Sequence, residues 1–131
     1  MCPVYINRIA SIHAESRNEK PYFSAQEPDY KEMITNANLR RRMSRMIKMG
    51  VACGLECLKD IPSEKVDAII TATGLGCLAD TEKFMNALMD NREQMLNPTA
   101  FIQSTFNTVG AQLALLCLLY TSPSPRDRSV S

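Results

Sequence analysis

An α/β fold is what the sequence predicts, from three neighbouring observations. Val66 to Ala72 is a short, apolar, β-branched run, the pattern of a strand covered on both faces. Gly74 and Gly76 then supply a tight turn. From Asp80, the expected N-cap, Phe84 and Leu88 and also Met85 and Met89 recur at i,i+4, the pattern of an amphipathic helix. A strand feeding a helix through a glycine turn is half of a βαβ unit.

Taken in order, Val4 to Ile12 alternates well enough to be a strand beginning after Pro3, expected in the same sheet as Val66 to Ala72. Ala14 to Met33 holds Pro21, Pro28 and many polar groups and reads as a long surface loop, a length usually functional or disordered. From Asn38, the expected N-cap, one long helix is predicted: Leu39, Met43, Met46, Ile47, Gly50, Val51, Gly54, Leu55 and Leu58 recur at three- and four-residue steps until Asp60-Ile61-Pro62 ends the run. Interior glycines cost about 1 kcal/mol each in helix propensity, so Gly50 and Gly54 imply close approach of another backbone. Leu96-Asn97-Pro98 marks a turn, Thr99 to Thr105 reads as a connector anchored by Phe101 and Ile102, and Asn107 caps a last helix, Val109 to Leu119. That helix has almost no polar face and should be buried, centrally or at an interface. Residues 120–131 form a polar tail that cannot bury anything and read as foreign sequence joined to a shortened reading frame, leaving residues 1–119 as the folded part.

Composition bounds the function. A chain of 131 residues with 45% apolar content can build one modest core. Its net charge of +1 creates no global attraction for nucleic acid or membrane. No apolar run approaches the roughly 20 residues of a membrane span, and the start lacks a signal peptide's basic and apolar regions, so a cytoplasmic protein is expected. The five cysteines, Cys2, Cys53, Cys57, Cys77 and Cys117, are then expected to stay reduced. Cys53 and Cys57 lie one turn apart, but the sole histidine, His13, is far off and no CxxC partner exists, so no metal is expected.

Two stretches invite a chemical reading. Arg40, Arg41, Arg42, Arg45 and Lys48 put five cations in nine residues, with Arg41, Arg45 and Lys48 on one face of the expected helix. Such a run is either a solvated face or a docking patch for an acidic partner; cations at a helix N-terminus oppose its dipole, which argues for the patch. Gly74-Leu75-Gly76-Cys77-Leu78-Ala79 fits G-x-G-x-x-A, a dinucleotide fingerprint. Asp80 and Glu82 already fill that helix start with negative charge, and no second strand follows before Pro98 to carry a ribose-binding carboxylate. No cofactor is therefore expected.

The same turn, the acidic helix after it, Leu96-Asn97-Pro98-Thr99-Ala100-Phe101, and Asn107-Thr108-Val109-Gly110-Ala111-Gln112-Leu113-Ala114 together resemble the N-terminal half of β-ketoacyl synthases of the thiolase fold. The helix from Arg41 through Leu58 resembles that family's first long helix, and Val4 to Ile12 its opening strand, so the resemblance covers roughly residues 4 to 119. It implies an N-terminal fragment of a thiolase-like fold whose parent makes carbon–carbon bonds on acyl chains held by acyl carrier protein, in fatty acid or polyketide-type biosynthesis.

Residue by residue, the resemblance implies that Arg41, Arg42 and Arg45 contact acyl carrier protein. A second basic pair expected before the Pro98 turn is neutral here, Gln94 and Met95. Leu75, and Ala100 with Phe101, match acyl-pocket positions, the latter reaching across a homodimer or heterodimer; ordinary core packing accounts for them equally. The family's cysteine nucleophile, at a helix start that lowers its pKa, and its two histidines lie downstream of the matching region. Cys117 sits inside an apolar helix and His13 supplies one imidazole, so this chain is expected to be inactive and its parent either a condensing enzyme or a non-condensing partner subunit. A different class stays open: a small binding module using the basic helix on an acidic protein or RNA.

Overall fold

The computed structural model describes residues 3–14, 25–92 and 94–117. Six α-helices follow one another there: α1 Tyr30–Met33, α2 Ala37–Arg42, α3 Arg45–Leu58, α4 Leu78–Asp90, α5 Pro98–Ser104 and α6 Thr108–Leu116. The expected tail, residues 120–131, and residues 15–24 of the expected loop lie outside the described residues, while the end of that loop, Tyr30–Met33, is the helix α1, capped by Asp29, whose side chain accepts from the Lys31 N–H.

Local chemistry explains most boundaries. Asn36, not Asn38, caps α2, its side chain accepting from the N–H groups of Asn38 and Leu39, each at 3.1 Å. Neither does the expected long helix run unbroken: Met43 turns extended (φ −86, ψ 132) and Ser44 restarts the chain as the N-cap of α3. The break drives Met43 into the core, where it is 5% exposed beside Ile34, Ile47, Val51 and Cys77. Burying a side chain of that size is worth about 1.5–3 kcal/mol, which offsets helical hydrogen bonds given up at the break. The Arg42 carbonyl at the break accepts instead from Gln103 Nε2 of α5.

Thr99 to Thr105, expected as a connector, is mostly the helix α5. Asn97 accepts from the Thr99 N–H at 2.9 Å and Pro98 occupies the first turn, a cap and a pre-set φ in consecutive residues. For α4 the cap is Cys77, three residues before the expected Asp80, which sits in the first turn and still favours the helix dipole.

The central contact is α3 on α6. A Cβ on Gly50 would stand 2.7 Å from Val109 Cγ1, and one on Gly54 2.6 Å from Leu113 Cδ2. Glycines four apart thus open two notches on α3, and residues four apart on α6 fill them. Close approach was expected of another backbone; side chains make it. A second pairing joins α4 to α5, where the rings of Phe84 and Phe101 meet at 5.5 Å between centroids, inclined by 56°.

The strands are the main correction. Among the described residues no strand forms, and the only pairing of that kind is an isolated antiparallel bridge between Ala14 and Ala25. Val66 to Ala72 lies as an irregular connection with Ile69 and Thr71 half-buried and Ile70 91% exposed, so one face is covered where two were expected. Val4 to Ile12 is exposed save for Ala10 and Ile12. Apolar, β-branched sequence makes a strand only when a neighbour takes its N–H and C=O groups, and none of the described segments does so here.

Candidate functional site

The basic stretch is built across the α2–α3 break. Arg40, Arg41 and Arg42 fall in the last turn of α2 rather than at the start of a long helix, so its dipole favours them. That removes the electrostatic argument for docking drawn from the sequence, and the break removes the continuous face expected for Arg41, Arg45 and Lys48. Arg40 turns inward, donating from Nη1 to the Ile34 carbonyl, whereas Arg41 and Arg42 are exposed. Arg45 opens α3, where a cation opposes the dipole, and there it finds a counter-anion: its Nε donates to Glu27 Oε1 at 2.5 Å. Tyr30 Oη donates to the other oxygen, Oε2, at 2.6 Å. The Tyr30 bond first, and then Arg45, hold the Glu27 carboxyl below its ordinary value, while burial and the Glu27 carboxylate push the Tyr30 phenol up.

A cavity of about 300 Å³ lies between α3, α6 and the glycine turn. Met46, Met49 and Cys53 line it from one face of α3, at i, i+3 and i+7; Thr71, Gly76 and Cys77 line it from the turn, and Phe106 and Val109 from the entry and first turn of α6. Its chemistry is apolar, suited to holding a hydrocarbon or a side chain.

Cys53, Cys77 and Cys117 are not activated. Burial pushes the Cys77 thiol up, with Asp80 adding to it; burial and then Cys57 do so for Cys53; and burial alone for Cys117. Cys77 caps α4, where a dipole would favour thiolate, but there the net direction is upward. His13, exposed, shares a 3.3 Å contact with Ser11 Oγ. Among the described residues no three or more His, Cys, Asp or Glu side chains cluster to hold a metal, and no helix is long and apolar enough to cross a membrane.

A family model described as β-ketoacyl synthase, N-terminal domain, matches residues 13–119, most of the 131-residue chain. The chain belongs to the β-ketoacyl synthase family. No curated protein and no solved structure matches it. The thiolase-like assignment accords with that membership, while the strands expected with it do not form among the described residues.

In this β-ketoacyl synthase domain the positions matched to an acyl pocket are scattered. Leu75, between Gly74 and Gly76, is 79% exposed and does not line the cavity. Ala100 and Phe101 sit on α5, away from the cavity lining, with Phe101 half-exposed against Phe84. Ordinary core packing does not describe Leu75 either. Sequence reasoning missed Met46, Met49, Cys53 and Phe106 as cavity residues and Glu27 as the partner of Arg45. The helical spacing of the first three was legible, whereas Glu27 lies 18 residues from Arg45 and carried no signal.

Proposed function

We propose that this domain serves β-ketoacyl synthase chemistry on acyl chains carried by acyl carrier protein, in fatty acid or polyketide-type biosynthesis, and that it docks the carrier through Arg41, Arg42 and Arg45. Membership of the family over residues 13–119 is the observation that carries this reading. Supporting it, the three arginines are exposed and adjacent across one break, the arrangement that recognises carboxylates and phosphate on an acidic surface. The reading also assigns the condensing nucleophile elsewhere, since burial keeps Cys53, Cys77 and Cys117 protonated. This chain then acts as the carrier-binding part of a larger or paired synthase, as a homodimer or heterodimer in which α5, with Ala100 and Phe101, meets the partner.

Reversing Arg41, Arg42 and Arg45 together to Glu is expected to weaken carrier binding by about tenfold, chiefly by slowing association, and to flatten its salt dependence. Equal binding by the triple variant would return these arginines to a solvated surface. Tighter binding to RNA than to the carrier, with a steep salt slope, would favour a nucleic-acid-binding module instead. Acyl-loaded carrier should leave no stoichiometric thioester on the chain by intact mass; a thioester on any cysteine would overturn the placement of the nucleophile.

A further inference from the structure

Arg45, the first residue of α3, is held by a carboxylate of its own chain. We propose that Glu27 is an intramolecular competitor for the guanidinium of Arg45, occupying it until an acidic partner takes its place; this rests on the carrier-docking reading. Both oxygens of Glu27 are engaged, Oε1 by Arg45 Nε at 2.5 Å and Oε2 by Tyr30 Oη at 2.6 Å. The carboxylate is the sheltered member of the pair, its side chain 23% exposed against 64% for Arg45, so an incoming anion meets the guanidinium first. Tyr30 belongs to α1, which packs on α3, and so anchors the competitor to the helix that carries Arg45. Lys48, one turn further along α3, adds to the pull that holds the Glu27 carboxyl down. Among the described residues, Arg45 is thus the docking cation already paired with a carboxylate, and displacing Glu27 opposes partner binding there, whereas Arg41 and Arg42 are exposed.

The test is a mutant cycle on the full chain with acyl carrier protein as the probe, measuring affinity for the unaltered chain, E27Q, R45A and the double variant. E27Q is expected to tighten binding by about two- to fivefold, the scale of an exposed ion pair, and to change nothing in the R45A background. A gain that persists without Arg45 would show only the removal of a negative charge and overturn the competitor. Unchanged or weaker binding by E27Q, while reversal of Arg41, Arg42 and Arg45 still weakens it, would overturn the competitor and leave docking standing. Should the triple reversal also be silent, the docking reading fails and takes the competitor with it. Peptide mapping after treatment with an arginine-modifying dicarbonyl supplies a readout without the carrier: E27Q should speed modification at Arg45 and not at Arg41, and equal rates at Arg45 would overturn the proposal.

Discussion

At Gly76 the backbone takes φ +62 and its N–H donates to Thr73 Oγ1 at 2.8 Å, whereas Gly74 has no positive φ and neither glycine has an atom within 4 Å of an added Cβ. The two therefore separate conformation from sterics. Gly76→Ala is expected to destabilise by about 1 kcal/mol through the left-handed conformation alone, while Gly74→Ala is neutral or slightly stabilising because it restricts the unfolded chain. Thermal melts of the two variants check this, and equal losses would contradict it. Glu27 supplies a pH dependence. Its folded pKa lies below the ordinary 4.5, held there first by Tyr30 and then by Arg45, so its contribution is present above that value and is lost as pH falls through the depressed one. E27Q should lower stability in the neutral range, where that contribution is present, and flatten part of the acid limb; an unaltered acid limb would show that the pair contributes nothing.

Between elements, the notches of α3 decide the packing of α6. Gly50→Ala gains helix propensity, but its Cβ would press on Val109, a β-branched side chain that has little χ1 freedom to move aside. A net loss of about 1–3 kcal/mol is expected, and Val109→Ala in the same chain should recover much of it. Gly54→Ala meets the far end of Leu113 and should cost less. Denaturant unfolding of the singles and the double measures the coupling; strict additivity would mean the helices do not interlock here. The C-terminus of α3 carries a different anchor, Arg8, whose Nη1 donates to the Glu56 and Lys59 carbonyls at 3.3 and 2.7 Å and whose Nη2 meets Asp60 Oδ2 at 3.3 Å. Alkaline or acidic replacements aside, Arg8→Ala should loosen residues 4–12 from α3, seen as faster amide exchange at the helix end, where a cation complements the dipole.

Across the molecule, apolar surface stands open. Val4 is 96% exposed, Ile6 81% and Ile70 91%, and a groove bordered by Val4, Tyr5, Arg8, Leu58, Val66 and Ile70 separates the two segments in which strands were expected. Extended backbone with unpaired polar groups and exposed β-branched side chains is adhesive. Purified chain is expected to bind an apolar-surface dye, to self-associate as concentration rises, and to melt broadly. A sharp two-state transition with no dye binding would show that these surfaces are satisfied in solution.

The sequence by itself determined what local chemistry decides. Helical periodicity placed Leu39 to Leu58 and Phe84 to Met89, the small residues Gly50 and Gly54 announced a tight contact, Asp60-Ile61-Pro62 stopped α3, and the ordered motifs around Gly74, Pro98 and Asn107 named the family. The Asn97-Pro98 start of α5 is legible too, since cap and proline stand side by side, a pairing shared by turns and helix starts. What only tertiary structure decided depends on groups distant along the chain. Met43 leaves the helix because a core formed by Ile34, Ile47 and Cys77 receives it, and Arg45 meets an anion supplied by a loop. Val4 to Ile12 and Val66 to Ala72 keep strand-like sequence without becoming strands because a ladder bond needs two partners, and the second lies outside what either segment encodes.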